Sequence, residues 1–509
     1  MLFDWLGPYD NLTLVKGPFY PIWIAVAFLA GVPLLLSQQI LYAMACVVTE
    51  RALQPLIVNC LSRMAIFILL LFNPVTFTWQ LTRVLRDGLY PGLALLVTGS
   101  AIGLFVRRHE SARSLIGWAV TCGLATAAFW LTREEGVWIL PVLVPFVGWT
   151  MAVAVFSNWR GWPKIAVVTL PLALPLLAIH AVSLTNWIHY SVYTTVEVKT
   201  PEFKAAYGAL TRVRAAEHKP QVPVTKETRQ RIYPQSPAFA ELQPSFEREG
   251  FWTLRAVDQE NHPSGSDEIG GGWFIWALRD AAAEAGYFGS GAQAAVFFQR
   301  LANEINAACR EKRLDCLPKR ASLMPPWRSE YLLPVMKTIF SGFKMLVTFS
   351  GVSPTPAPSR GLAVYLALFQ DLARERLSGQ ATSSAGERQA TGVAGIETPS
   401  PRQTQLAKWK LSLLEKITVI YQSTIPYFAI ATLVAIGVWL FRLIRLRKIT
   451  TMGFIALIIT IAICVRLLIL AMIDVTSFLA IIPEYSSPLY PMALLCASLF
   501  VMDITHQSR

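Results

Sequence analysis

The segment 131–138, LTREEGVW, places three charged residues and a glycine between two apolar runs, at about 115–131 and 137–156. Each run is long enough to cross the hydrocarbon of a bilayer as a helix. Charges held against hydrocarbon are costly and are usually retained for a role at or near the membrane. A tight, solvated loop between two helices is the alternative interpretation. Further charged clusters on the same predicted side of the membrane favour a functional role for this segment.

The composition is that of a polytopic membrane protein. Of 509 residues, 54% are hydrophobic and 15% are charged, and the mean hydropathy is +0.45. The net charge of +13 does not indicate nucleic-acid binding, because no soluble basic module with interleaved aromatic residues accompanies it. Much of the positive excess lies in short loops beside apolar runs, where it sets the orientation in the membrane.

Apolar runs of spanning length predict an all-α membrane protein with about nine transmembrane helices. The predicted spans are 33–50, 56–72, 90–106, 115–131, 137–156, 166–185, 424–442, 452–473 and 488–504. The second is the weakest, because Asn59 and Arg63 interrupt it. The run 19–30 is too short to span, and we expect a short helix at the outer membrane surface.

Positive charges in the short loops predict which side of the membrane each loop faces. Alternate loops carry ten Lys and Arg residues, and the opposing short loops carry three. The first set is Arg51, Arg107, Arg108, Arg113, Arg160, Lys164, Arg442, Arg445, Arg447 and Lys448, and the second is Arg83, Arg86 and Arg133. The positive-inside rule assigns the first set to the cytoplasm. The loop 132–136 and the segment 186–423 are then external, and the C-terminus is cytoplasmic.

This orientation requires residues 1–18 to lie outside, although no apolar helix precedes them in the sequence. Either the count of nine spans is off by one, or a native first transmembrane helix lies upstream of Met1, and we expect the second.

Four regions are predicted along the chain. They are an N-terminal membrane region 1–185, an external (periplasmic) domain 186–330, an interfacial helix and flexible linker 331–423, and a C-terminal membrane region 424–509. Tryptophans, tyrosines and helix-like runs at 274–285 and 294–309 predict that the external domain is compact and mainly helical. The apolar run 331–349 carries two lysines and is predicted to lie in the membrane interface. Residues 378–405 have the composition of a linker, and an amphipathic helix 406–420 leads back to the membrane.

Two cysteines, Cys309 and Cys316, fall in the predicted external domain. Seven residues apart in an oxidising compartment, they are predicted to form a disulfide, which requires a Cα separation below about 7 Å. No His or Cys set at zinc spacing accompanies them, so a metal site is not predicted there. The other five cysteines lie in apolar spans, as small core residues do.

Charged and hydroxyl side chains collect at the predicted outer face. The set comprises Asp4, Asp10, Lys16, Arg83, Arg86, Asp87, Arg133, Glu134, Glu135, Arg466, Asp474, Glu484, Tyr485 and Tyr490. Arg466 lies inside the eighth predicted span, where it needs a polar cavity, an anionic ligand or a structural ion pair with a neighbouring helix. Lys16 precedes the 19–30 helix and suits a phosphate; an interfacial lysine that reaches toward lipid headgroups is the alternative. Such groups suit the departure of a phosphate and the deprotonation of a hydroxyl.

Several short motifs resemble those of GT-C-type polytopic glycosyltransferases. The segments 5–10 (WLGPYD) and 13–21 (TLVKGPFYP) resemble the end of the first external loop in that superfamily. Residues 83–90, the loop 132–136 and the Tyr…Tyr-Pro pattern at 485–491 resemble later parts. The superfamily includes protein mannosyltransferases, aminoarabinose transferases and bacterial cell-envelope sugar transferases. The resemblance covers the membrane part, and the external domain suggests a bacterial branch.

The resemblance implies an inverting transfer of a sugar from a polyprenyl-phosphate carrier to an envelope glycan or protein, at the outer face of the bacterial inner membrane. No cofactor is implied, and dependence on a divalent cation stays open. Lys16 matches the superfamily's lysine or polar residue before the interfacial helix, where it would contact the carrier phosphate. Arg466 is the second predicted phosphate ligand, with Arg83, Arg86 and Arg133 lining the same pocket.

One departure concerns the catalytic base. In the superfamily, an acidic motif shortly after the first transmembrane helix supplies it. Asp4 and Asp10 lie close to the corresponding place without reproducing the motif, so the chain as it stands is expected to lack its base and to be inactive. Asp10, Glu134 and Glu135 are the remaining catalytic candidates, the two glutamates chiefly for acceptor binding. Further candidate pocket residues are Asp87, Asp474, Glu484 and Tyr485.

Two other function classes stay open. A transporter or flippase for a lipid-linked glycan also needs charges inside the membrane, although no inverted repeat is visible. A non-catalytic envelope assembly protein would use the external domain for binding. One outward pocket with a lateral opening to lipid favours the enzyme, and a pathway to both sides favours the transporter.

The topology is tested with single cysteines at Ser384 and His506, in a background without other free thiols. A membrane-impermeant thiol reagent should label position 384 in intact cells and position 506 only after permeabilisation, because the loop charges place them on opposite sides. Labelling of position 384 from the cytoplasmic side alone would overturn this topology.

Overall fold

The computed structural model describes residues 7–10, 12–156, 162–215, 217–248, 268–355, 360–361, 367–368, 370–371, 382–383, 400–447 and 449–507. Asp4 and Ser384, and most of the predicted linker 378–405, lie outside these residues. The described chain forms two compact units. The first comprises Met1–Pro18, Ala178–Ser341 and Leu468–Ile481, and the second comprises Phe19–Leu177, Gly342–Leu467 and Ile482–Arg509.

The described structure is helical apart from two strands of two residues each, β1 (Arg360–Gly361) and β2 (Thr382–Ser383), which pair in parallel. The α-helices are α1 Phe19–Leu29, α2 Leu34–Leu53, α3 Cys60–Leu71, α4 Tyr90–Val106, α5 Ala112–Thr132, α6 Leu140–Phe156, α7 Trp162–Tyr190, α8 Pro201–Thr211, α9 Lys226–Ile232, α10 Pro237–Ala240, α11 Gln243–Phe246, α12 Gly271–Glu284, α13 Gly291–Arg310, α14 Leu332–Thr348, α15 Pro401–Leu446, α16 Thr451–Thr476, α17 Pro483–Ser486 and α18 Leu489–Gln507. The 3-10 helices are Pro74–Phe77, Arg86–Gly88, Gly136–Ile139, Glu197–Lys199, Tyr233–Gln235 and Ser329–Tyr331.

Seven helical segments in the described part of the chain are long and apolar enough to cross a membrane, which indicates a membrane protein. The count becomes eight if α1 and α2, which are bent by 109° relative to each other, form one broken span. Each of the nine predicted spans coincides with a helix, and the apolar part of α18, Leu489–Thr505, falls short of spanning length. The all-α polytopic class is confirmed, while the number nine stays a prediction.

Helix α15 joins two segments that the sequence predicts separately. The expected amphipathic helix 406–420 and the expected span 424–442 form one helix of 46 residues that continues through Pro426. It starts with a capping box between Ser400 and Gln403. At 1.5 Å per residue its length is about 70 Å, more than twice the hydrocarbon thickness of about 30 Å. A large part of α15 therefore extends beyond a membrane span.

Small residues let α4 pack closely in the second unit. This helix packs against α2, α5, α6 and α18, and most of its residues are buried. A Cβ atom at Gly99 would lie 2.4 Å from Thr49 Oγ1, and one at Gly92 would lie 3.4 Å from the Tyr42 backbone. Glycine at these positions allows α2 and α4 to approach at backbone distance, as small residues do in membrane helix pairs. The start of α4, which carries the candidate site, is thereby fixed.

The first unit contains a helical core around α8, α12 and α13. Phe203, Phe274 and Phe298 are buried in it, with aromatic contacts such as that of Phe203 with Phe298 at 4.9 Å between ring centroids. Thr200 and Ser290 cap α8 and α13 by accepting hydrogen bonds from backbone N–H groups. The expected runs 274–285 and 294–309 correspond to α12 and α13.

The first unit contains more of the chain than the predicted domain 186–330. It also includes the N-terminal segment and residues 468–481. The Glu197 N–H donates to the Leu14 carbonyl at 2.9 Å. The Asp474 carboxylate accepts from the N–H groups of Ala480 and Ile481 at 2.8 and 3.0 Å. Cys309 and Cys316 form a disulfide with a Cα separation of 5.7 Å, inside the limit given above.

A buried ion pair ties the N-terminal segment to this core. Arg279 is fully buried and pairs with Glu197, which is 4% exposed and also accepts from the Tyr9 hydroxyl. The Arg279 guanidinium donates a further hydrogen bond to the Thr13 carbonyl at 2.9 Å. Two charges taken out of water need such a set of partners.

Arg279→Ala should lower the free energy of unfolding by about 3–5 kcal/mol, because it leaves Glu197 buried without its counter-charge. The matched control is Arg248→Ala, whose pair with Glu284 is about half exposed and whose loss should cost less than about 1 kcal/mol. Thermal unfolding of the purified protein measures both. Equal shifts for the two variants would contradict the importance of the buried pair.

Candidate functional site

Two short segments of the second unit bring opposite charges together at the ends of its helices. The turn Arg86–Gly88 directly precedes α4, and the loop Arg133–Glu135 directly follows α5. Helix α4 packs against α5 and α6, so both segments meet at one end of these three helices. Their charged side chains form the arginine–carboxylate cluster, which also includes Arg466 of α16.

Arg133 is the centre of the cluster. Its guanidinium pairs with Asp87 and, at 3.2 Å, with Glu135. The side chains of Arg133 and Asp87 are 5% and 6% exposed. Glu135 is 27% exposed and also accepts from Arg466 Nη1 at 2.7 Å. Arg466 is fully buried, and the structural ion pair considered for it from sequence is present.

Arg86 and Glu134 form the second pair of the cluster. Arg86 Nη1 lies 2.7 and 2.8 Å from the two Glu134 carboxylate oxygens and 3.2 Å from the Thr132 carbonyl. Both side chains are partly exposed, at 14% and 18%. The arginine thus ties the turn before α4 to the end of α5.

Aromatic rings line the cluster and were not among the sequence-based candidates, apart from Tyr485. The Arg133 guanidinium lies 5.5 Å from the Tyr90 ring and 5.1 Å from the Tyr485 ring. That of Arg466 lies 5.6 Å from Trp138, whose indole N–H donates to the Tyr90 hydroxyl at 3.0 Å. These contacts add cation–π attraction to the ion pairs. Trp138 lies within the segment 131–138, but a tryptophan beside a membrane loop is too common to predict such a contact.

The electrostatics of the loop follow from these pairs. Burial alone would raise the pKa of Glu135, but Arg133 and Arg466 outweigh it and hold that pKa well below its usual range. Burial alone would lower the pKa of Arg133, but Asp87 and Glu135 hold it well above its usual value. Both groups therefore keep their charges at neutral pH, and Glu135 is a weak proton acceptor.

Glu484 differs from the other acids of this region. It lies on α17, is half-buried, and forms no ion pair with any described residue. Burial and the nearby Asp87 raise the pKa of Glu484 to about 7, although Arg83, Arg133 and Arg86 oppose this shift. Arg83 is exposed and likewise has no carboxylate partner among the described residues. The next residue, Tyr485, accepts a hydrogen bond at its carbonyl from Arg466 at 3.1 Å.

Three predicted site residues belong to the other compact unit, so their convergence with the cluster stays a prediction. Lys16 Nζ lies 4.3 Å from the centre of the Trp276 ring. The Asp10 carboxylate accepts hydrogen bonds from the N–H groups of Leu12 and Thr13 at 2.8 and 2.9 Å, which closes a turn. The Asp474 carboxylate accepts hydrogen bonds from the N–H groups of Ala480 and Ile481. The structure thus accounts for both aspartates locally.

The described residues contain no group of three or more His, Cys, Asp or Glu side chains that could hold a metal ion. No family model, curated protein or solved structure matches the chain.

Arg133→Met should lower the free energy of unfolding at pH 7 by about 3–5 kcal/mol, because Asp87 then stays buried without its guanidinium. The difference from the wild type should narrow at pH 4, because Arg133 lowers the pKa of Glu135 and the stability that this ion pair contributes fades as the pH falls below the ordinary pKa of a glutamate. Thermal unfolding at the two pH values measures both effects. Arg83→Met is the control, since a surface substitution changes the free energy of unfolding by only about 0.5 kcal/mol. An equal loss of stability for Arg133→Met at both pH values would contradict the importance of these ion pairs.

Proposed function

We propose that the protein is a membrane glycosyltransferase that transfers a sugar from a polyprenyl-phosphate carrier to an envelope acceptor, at the outer face of a bacterial inner membrane. The observation that supports this most directly is the arginine–carboxylate cluster, with Arg83 and Glu484 beside it. A sugar transfer from a lipid phosphate needs positive charge for the departing phosphate and a carboxylate for the hydroxyl proton. The cluster offers both in one place.

The arginines have different roles in this proposal. Arg83 is exposed and has no carboxylate partner among the described residues, so it is the available cation beside the cluster for the carrier phosphate. Arg466 is fully buried behind Glu135, which suits it to orient that carboxylate and to contribute positive potential at short range. Lys16, before α1, belongs to the first unit, and its contact with the carrier phosphate stays what the resemblance implies.

The partly exposed glutamates suit the acceptor. Glu134 and Glu135 are each held by an arginine and are 18% and 27% exposed. Ionised carboxylates accept hydrogen bonds only, so they can bind the hydroxyl groups of a glycan acceptor. Their fixed orientation favours a defined acceptor position, which a displacement reaction requires.

Purified protein in lipid vesicles, incubated with a set of radiolabelled polyprenyl-phosphate sugars and an envelope extract as acceptor, tests the proposal. Provided that a carboxylate of this chain supplies the base, the expected result is released polyprenyl phosphate together with labelled acceptor. Movement of intact lipid-linked sugar across the vesicle membrane, without release of the phosphate, would indicate a transporter instead.

In the same assay Arg466→Ala should lower transfer by about 10²-fold or more, the usual effect of losing one electrostatic stabiliser, while the protein still inserts in the membrane. The control is Arg51→Ala, which lies at the end of α2 with its side chain 68% exposed and should leave transfer unchanged. Full activity of Arg466→Ala, with normal insertion, would remove the cluster from the proposed reaction.

A further inference from the structure

The proposed transfer requires a group that removes the acceptor's hydroxyl proton, and we propose that Glu484 accepts this proton in the present chain. The inference rests on the proposed function and assigns one residue to one step of it. It also differs from the resemblance, which implies a base in the first external loop.

Pairing separates Glu484 from the other carboxylates of the region. Asp87 pairs with Arg133, Glu134 with Arg86, and Glu135 with both Arg133 and Arg466. A carboxylate that is already paired with a guanidinium is a weak base, since protonation would break the pair. Among the described acids of the cluster and of α17, Glu484 is the one that forms no ion pair.

The short helix α17 holds Glu484 beside the cluster. The Tyr485 carbonyl accepts from Arg466 at 3.1 Å, and the Tyr485 ring lies 5.1 Å from the Arg133 guanidinium. On the other side, a Cβ atom at Gly351 would lie 3.2 Å from Pro483 Cγ, so the backbone at Gly351 packs closely on α17. Glu484 is therefore held between two anchored neighbours.

The charges that act on Glu484 belong to three segments of the chain. Asp87 and Arg86 belong to the turn before α4, Arg83 to the loop that precedes this turn, and Arg133 to the loop after α5. Burial and Asp87 raise the pKa of Glu484, the three arginines lower it, and the resulting value is about 7. A general base works best when its pKa lies near the working pH. Glu484 meets this condition, whereas Glu135 does not.

The step balances without a co-reactant. The acceptor oxygen forms a bond to the anomeric carbon as its proton passes to the Glu484 carboxylate, and the bond from the anomeric carbon to the phosphate oxygen breaks with its electron pair. The phosphate diester becomes a phosphate monoester dianion beside the arginines. Glu484 then releases the proton to water, which restores the starting carboxylate.

The test compares wild type, Glu484→Gln and Glu484→Asp as full chains in the vesicle assay, across pH 5 to 9. Wild-type transfer should rise with pH through about 7, because the base must be deprotonated. Glu484→Gln should be slower by about 10²–10⁴-fold and lack this pH dependence, while Glu484→Asp should retain part of both. Glu50→Gln, at an ion pair with Arg63 on the opposite predicted side, is the control and should behave as wild type.

Azide separates proton transfer from a structural role. It is an anionic nucleophile that carries no proton to remove, so Glu484→Gln should form the glycosyl azide at a rate close to that of wild type. Loss of the azide reaction in both Glu484→Gln and Glu484→Asp would overturn the inference. Wild-type transfer and pH dependence in Glu484→Gln would overturn it as well. Either result would leave the proposed function standing. A wild-type chain that cleaves no donor at all would overturn both.

Discussion

The ion pair between Arg466 and Glu135 is the interaction on which the arrangement of the second unit depends. Arg466 has no exposed surface within an apolar helix, and an arginine in that position without a counter-charge would be very costly. Glu135 supplies the counter-charge from the loop after α5, so α5 must end and the next helix must begin at the level of Arg466. Arg133 shares the same carboxylate and also pairs with Asp87, which fixes the start of α4. One buried charge thus determines where three other segments lie.

Mutual neutralisation explains why the cluster is tolerated, and it also explains which groups stay available. Three arginines and three carboxylates pair with one another, so their charges largely offset each other inside a low-dielectric region. Arg83 and Glu484 lie beside these pairs without joining them. Buried ion pairs are weak evidence for stability, and we regard specificity of arrangement as the more convincing reason for this network. Arg83 and Glu484 stay available beside this network, and the charges of the network act on Glu484.

The sequence predicts the parts of this structure that depend on local composition. Apolar length predicts the helices from α2 to α7, and cysteine spacing indicates the pair Cys309 and Cys316. The sequence does not predict partners that are distant along the chain, because Arg466 and Glu135 are 331 residues apart. It also assigns 468–481 to a membrane helix and its exit, whereas the hydrogen bond from Gln221 to the Asp474 carbonyl and the packing of Gly271 against Ser477 place this segment in the first unit. The candidate site could thus be predicted as a set of charges but not as specific pairs.

The pairing also changes how each charged residue contributes. From sequence, a buried arginine suggests a direct phosphate ligand, and a pair of glutamates suggests a base. In the structure Arg466 lies behind Glu135, and Glu135 is the more exposed member of its pairs with Arg133 and Arg466. A hydroxyl acceptor would therefore meet carboxylates first, while an anionic carrier would be drawn to the exposed Arg83. Because the arginines lower the basicity of the glutamates that they hold, proton transfer has to use a carboxylate outside the pairs. Because of this constraint, Glu484 of α17 is a better candidate for the base than the glutamates of the loop 132–136.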